Sequence, residues 1–324
     1  MNKLHITSLL AFILIFSACE TTVDIPLPPH EKRIVVNGLL EADKEIEVYI
    51  SQSYGPTEDL DSEEVMLPDA TVELFKDGEL ISNFVYRDTT VEDWRTGGTL
   101  QIGKFVAEGF FAKAGETYEL KVSHPDYPSA SATATTPPKV RFIKGEFVLD
   151  AGRKVYEDGY TEQQSLFRLT IKDTAAFDNF YKLESLFFTS LDLFGPGEDT
   201  VLMQVYNLQG EAMLAGDGSL ESTSRFVSDE TFSGQEKTID FLVSMPYIFI
   251  NNTPVIDYDI FGFEGVVSTS FKPYKNYIEK LELQRSSQDG IGFLPSEPVV
   301  VDSNIENGYG MWGGSTRTAF KVKF

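Results

Sequence analysis

Apolar and polar residues alternate along most of this chain with a period of two. In "EIEVYISQS" Ile46, Val48 and Ile50 share one face, with Glu45, Glu47 and Tyr49 on the other; this is the signature of a half-buried strand. "RIVVNGLL" precedes it as a second run. "ATVELFKDGELISNFVY" sets Asp77-Gly78 between two alternating runs, and Gly accepts the positive φ that a two-residue hairpin turn requires, so a hairpin is predicted there. "ETYELKVSHPDYPSASATATT" aligns Tyr118, Leu120 and Val122, turns, and continues with small residues in alternation. Strands at this spacing, with no helical period between them, predict an Ig-like β-sandwich over residues 33–138. "TTPPKV", residues 135–140, reads as the linker to a second domain, residues 139–324.

That second part is β-rich but less regular. "SLFRLTIKD" places Leu166, Phe167, Leu169 and Ile171 in a strand, and "NFYKLESLFFTSLDLF" is expected to pair with it. The period changes in "FKPYKNYIEKLELQRSS": Tyr274, Tyr277, Ile278 and Leu281 fall at i, i+3, i+4 and i+7. One packed helix is predicted, starting at Pro273, a favoured first-turn residue. "EPVVVDSNIENGYGMWGGSTRTAFKVKF" reads as a strand, a glycine-rich turn and a final strand. The fold class is therefore mainly β: an N-terminal Ig-like sandwich, then a second β-rich domain with one helix.

The start of the chain breaks the alternation. Lys3, an apolar run from Leu9 to Phe16 and small residues before Cys19 have the layout of a secretory signal peptide, residues 1–18, too short to span a bilayer as a stable helix. Phe16-Ser17-Ala18-Cys19 resembles a bacterial lipobox, with Phe16 in place of the usual Leu. Cys19, the only cysteine, is thus expected to be lipidated and to become the mature N-terminus, and two or more acyl chains give stable anchoring. Residues 19–32 follow as a stalk, extended by Pro26, Pro28 and Pro29. Glu20 is not the Asp that retains some lipoproteins in the inner membrane, so the outer membrane is expected. Glu20 and Asp24 favour the cell surface over the periplasmic face.

Composition narrows the partners. The mature chain would hold 26 basic and 50 acidic residues, a net charge of −24. Neither a basic face nor a Lys/Arg cluster occurs, which argues against nucleic acid and anionic lipid headgroups. Without a second cysteine no intramolecular disulfide is possible, so the fold must rest on its core; 25 Phe and 14 Tyr supply one.

Three stretches carry a family resemblance: "CETTVDIPLPPHEKRIVVNGLL", "PDATVELFKDGEL" and "SEPVVVDSNIENGYGMWGG". In order and spacing they resemble a Bacteroidota outer-membrane lipoprotein family of unknown function, DUF4249, over nearly the whole mature chain. The resemblance implies an accessory lipoprotein partnered with a TonB-dependent outer-membrane receptor. It implies no catalytic residues.

The chemistry in the chain is sparse. His5 lies in the leader, His30 in the stalk, and His124 precedes Pro125-Asp126 as a turn. No G-x-S-x-G, S-x-x-K or phosphate-binding loop occurs, and Cys/His zinc sites lack ligands. A glycosidase would need two carboxylates fixed across a cleft, and abundant Asp and Glu do not identify such a pair. "TEDLDSEE" offers Asp59, Asp61 and Glu63 as a weak Ca²⁺ candidate against a solvated acidic loop. "DYDIFG" fails as a calcium loop because Phe261 stands where an oxygen ligand belongs. No other cofactor is expected beyond lipid on Cys19.

Aromatic stretches remain. Residues 246–265 continue the alternation and read mostly as core. Trp94 and the glycine-flanked Tyr309, Met311 and Trp312 are the candidate binding residues, because such side chains dominate interface hot spots. For Tyr309 and Trp312, core and surface stay open. The expected function is a non-catalytic outer-membrane accessory subunit. The alternative is a stand-alone surface lipoprotein that binds glycan or peptide on an aromatic platform, and an unrecognised hydrolase is a third class.

Overall fold

A computed structural model describes residues 30–55, 58, 65–93, 98–190, 201–204, 212–214, 220–222, 226–243, 248–250, 253–255, 260–288 and 300–323. Two compact units are present: Met1–Glu31 with Tyr54–Glu58, and all remaining residues. In the first, the Gly55 N–H donates to Glu58 Oε2 at 3.0 Å. The second unit holds the fold.

Its strands begin with β1 (Ile34–Glu41), β2 (Glu45–Gln52), β3 (Thr71–Lys76), β4 (Glu79–Asn83), β5 (Val85–Asp93), β6 (Gly98–Phe111), β7 (Thr117–His124) and β8 (Tyr127–Thr135). β9 (Arg141–Val155), β10 (Thr161–Lys172), β11 (Asn179–Ser190), β12 (Val201–Gln204), β13 (Ala212–Leu214), β14 (Leu220–Ser222), β15 (Val227–Ser228) and β16 (Glu236–Val243) follow. β17 (Ile248–Ile250), β18 (Thr253–Val255) and β19 (Ile260–Phe271) lead into helix α1 (Lys272–Gln288), and β20 (Tyr309–Lys323) comes last.

One nine-stranded sheet runs β12-β11-β19-β20-β1-β2-β6-β5, with β15 also on β11. β1 and β20 pair in parallel, Val35 opposite Tyr309 through Glu41 opposite Ser315. This sheet is a layer of two sandwiches. Ile34, Val36, Leu40, Ile46, Val48 and Ile50 meet Val72, Leu74, Tyr118, Leu120 and Val122 of the four-stranded sheet β4-β3-β7-β8. Further along, Tyr181, Leu183, Phe263, Val267 and Phe320 meet Phe167, Leu169, Ile171, Ile239 and Phe241 of the three-stranded sheet β16-β10-β9. The molecule is thus mainly β with one described helix, and its first sandwich uses the faces that alternation assigns.

The Asp77-Gly78 hairpin forms between β3 and β4, with φ of 52° and 82° at the two turn residues. Two expectations are corrected. β11 does not pair with β10: it pairs with β19, β12 and β15, while β10 lies between β9 and β16. A residue pattern marks both as strands and cannot show that residues 173–178 cross from one sheet to the other. The glycine-rich stretch is not a turn between strands but the first half of β20 itself. A Cβ at Gly310 would lie 2.0 Å from the Val36 carbonyl oxygen, one at Gly314 1.9 Å from that of Thr135, and one at Gly313 2.4 Å from the Tyr274 ring. These glycines admit close neighbours, a second use of the residue besides turning.

Residues 136–140, between β8 and β9, are packed against the body. The Thr136 N–H donates to the Glu116 carbonyl at 3.0 Å, its own carbonyl accepts from the Gly115 N–H at 2.9 Å, and the Thr316 hydroxyl donates to the Pro137 carbonyl. Helix α1 covers the outer face of the large sheet. Tyr274 lies on Gly313, Tyr277 donates to Asn37 Oδ1 at 3.1 Å, and Lys275 sits 5.6 Å above the Phe180 ring. No described helix is long and apolar enough to cross a membrane.

Candidate functional site

The candidate residues separate on inspection. Cys19, Asp59, Asp61, Glu63 and Trp94 lie outside the described residues. Along β20 side chains alternate: Trp312 is fully buried in the first core, Met311 is 2 % exposed, and Tyr309 is 43 % exposed. An exposed platform of all three is therefore corrected. Asn304 shows why: it brackets the Trp312 backbone, donating to its carbonyl at 2.8 Å and accepting its N–H at 2.9 Å, which holds the strand with the indole inward. Tyr309 stays at the surface with the Arg33 guanidinium 6.0 Å from its ring. His124 sits at a turn, as expected, accepting the Asp126 N–H at 3.2 Å on Nδ1.

Two features missed by pattern reading stand out. The first is the β9–β10 ribbon. Among the described residues β16 pairs with Ser165–Lys172, and β9 and β10 continue as a two-stranded ladder from Gly152 opposite Gln164 to Val155 opposite Thr161. Its turn is well bonded. The Tyr156 N–H donates to the Tyr160 carbonyl at 2.8 Å, the Gly159 N–H to the Tyr156 carbonyl at 2.9 Å, and the Tyr160 N–H to Asp158 Oδ1 at 2.9 Å. Gly159, at φ 84°, supplies the left-handed step. The tip exposes Val155, Tyr156 and Tyr160, with the tyrosine rings 5.8 Å apart. Tyr156 donates to Glu162 at 2.6 Å, and Lys154 lies 4.9 Å from its ring.

The second is a cleft of about 460 Å³ lined by Thr135, Ala175, Ala176, Phe177, Asp178, Phe271, Lys272 and Pro273. Phe177 and Phe271 pack at 5.5 Å. A buried polar network shapes the loop that forms one wall. Asn179 Nδ2 donates to Asp173 Oδ1 at 3.0 Å and reaches the carbonyls of Phe177 at 3.3 Å and Thr174 at 3.4 Å. Asp173 also accepts the Gly234 N–H at 2.6 Å and the Tyr181 hydroxyl. Asp229 accepts the Asn179 N–H at 2.8 Å. Asp173, Asn179, Tyr181 and Asp229 are all buried. Burial is the leading cause that raises the Asp229 carboxyl above its ordinary pKa, and also the leading cause for the Tyr181 phenol. With Asp173 occupied by donors on both oxygens, the network is a staple for two loops.

The matched family model is a domain of unknown function, DUF4249, over residues 20–321. The chain belongs to the DUF4249 family. No curated protein matches it. The match runs through both sandwiches of this DUF4249 protein, the ribbon and the cleft, so all of these belong to the family-matched region.

Proposed function

We propose that the protein is a non-catalytic, lipid-anchored outer-membrane lipoprotein that works by docking a protein partner, a TonB-dependent receptor. The observation that carries this reading is the ribbon tip: two neighbouring tyrosines and a valine exposed on a hydrogen-bonded turn. Aromatic side chains held by such contacts bind at low entropic cost. The ribbon runs on from the body of the second sandwich: β9 follows β20 the same way the latter runs, with the Pro137 carbonyl at Thr316, Phe142 on Phe320 and Gly145 at Val322.

Mild crosslinking in intact cells with a tag at the C-terminus, then extraction in gentle detergent, is expected to recover one TonB-dependent receptor in near-stoichiometric amount. Tyr156→Ala/Tyr160→Ala is expected to reduce that recovery about tenfold, as befits two central hot-spot residues. Recovery of the lipoprotein alone would refute the reading. The stand-alone glycan or peptide binder is the second reading, and its aromatic platform is reduced by the burial of Trp312.

A further inference from the structure

We infer that the cleft between the 174–178 loop and the start of α1 is a binding site for a small zwitterion with an apolar side chain, of the size of a dipeptide. This stands apart from the partner reading, because ribbon and cleft belong to different elements. Three observations carry it.

The wall is built. A short loop with two exposed alanines is held by two buried carboxylates and a fully buried amide. Asn179 takes up its inward carbonyls, and Gly234 packs behind Ala175 so closely that a Cβ there would fall 2.7 Å from the Ala175 Cβ. Burying carboxylates is costly unless their hydrogen bonds are met, and here those bonds all serve to fix this loop and its neighbour. Asn179 Oδ1 is buried without a hydrogen-bond partner, while its amide N–H groups and both carboxylates brace the loop, as a preorganised site requires.

The lining selects the ligand's body. Phe177, Phe271, Ala175, Ala176 and Pro273 present apolar surface around about 460 Å³, within the roughly 300–1,000 Å³ of small-ligand pockets. The charges select its ends. Asp178 and Lys272 are exposed members of the lining, and among the described residues neither takes part in an ion pair. One acid and one base beside a cleft with two phenylalanines complement an ammonium and a carboxylate on one ligand, whereas a neutral sugar would use neither.

The test is titration calorimetry of the full chain in detergent micelles with the dipeptide Leu-Phe, beside its N-acetylated and C-amidated forms. Saturable binding of Leu-Phe is expected, weakened about two- to fivefold by blocking either end, the range for one exposed charge pair. Phe177→Ala is expected to abolish it, and Asp178→Asn to remove the preference for the free amine while thermal unfolding stays unchanged. Three results would overturn the assignment: no heat at millimolar Leu-Phe, binding unaffected by Phe177→Ala, or equal affinity for the peptide blocked at both ends. The crosslinking experiment reads the ribbon, so either proposal can fail alone.

Discussion

At residue 312 the chain gives up all exposure of its largest side chain, and Gly38 makes room for it. A Cβ on Gly38 would fall 2.7 Å from the Trp312 ring, and Gly313 beside it lets the Tyr274 ring reach β20 from the opposite face. Trp312→Ala is therefore expected to act on stability, lowering it by about 3–5 kcal/mol, as for other fully buried aromatics. Tyr309→Ala, two strand positions short of Met311 and facing water, should change stability by less than about 1 kcal/mol; urea unfolding of both variants measures the contrast. The pair also marks a limit of reading. Glycines on both sides of an aromatic pointed to a turn, because a chain alone does not show that β1, β8 and α1 press on these positions. A second residue prediction concerns Asp229. Burial raises its pKa above the ordinary carboxylate value, so on raising the pH the unfolded chain loses this proton before the folded one does. Its contribution to stability is thus fullest below the ordinary carboxylate range and declines as pH climbs toward the raised folded value. Asp229→Asn keeps an oxygen for the Asn179 N–H and removes the titration. Relative to the native chain the variant should gain stability as pH rises above the ordinary carboxylate range in urea unfolding, and a difference that does not vary with pH would refute the assignment.

Among elements, the connection between β8 and β9 shows how a proline-rich segment becomes a joint. "TTPPKV" has the composition of a linker, and residues 136–140 are indeed irregular. They are nonetheless bonded on both sides: Thr136 to the 113–116 turn, and Pro137 to Thr316 of β20. Thr316 is fully buried, and its hydroxyl is the contact from strand to joint. Thr316→Val keeps the shape and leaves the Pro137 carbonyl without this donor, so a loss of about 1–3 kcal/mol is expected. Hydrogen exchange should locate it, with faster exchange at the Gly115 and Thr136 amides and little change at the Asp77-Gly78 hairpin. That hairpin was legible because its requirement is local, a positive φ at two adjacent residues. The joint, the ribbon and the cleft were not. Each depends on residues far apart in sequence, such as Asp173 with Gly234 or Pro137 with Thr316, and no period or turn motif encodes those meetings.

For the whole molecule, the parallel pairing of β1 with β20 matters most. Strands near the two ends of the described chain are neighbours in one sheet, and the last one closes cores assembled from both earlier parts: Trp312 in the first sandwich, Phe320 in the second. A segment ending at residue 138 would keep the alternating faces of an Ig-like sandwich. It would also lack the strand beside β1, the indole that fills its core, and Ile305. Removing a buried Trp and an Ile costs several kcal/mol by itself, against a total stability of about 5–15 kcal/mol for a domain. The unpaired edge of β1 would add an exposed ladder. Residues 32–138 expressed alone are thus expected to show no cooperative unfolding transition and broad amide resonances. Adding a peptide of residues 300–324 in trans should restore both a transition and dispersed spectra, since that peptide brings the Glu306 bridge to Ser131 along with β20. A 32–138 fragment that folds cooperatively without the peptide would show that the first sandwich stands alone. The long sheet would then be a docking of two finished domains, and the ribbon, built wholly on later strands, could be studied without the first, whereas the cleft takes Thr135 of β8 into its lining.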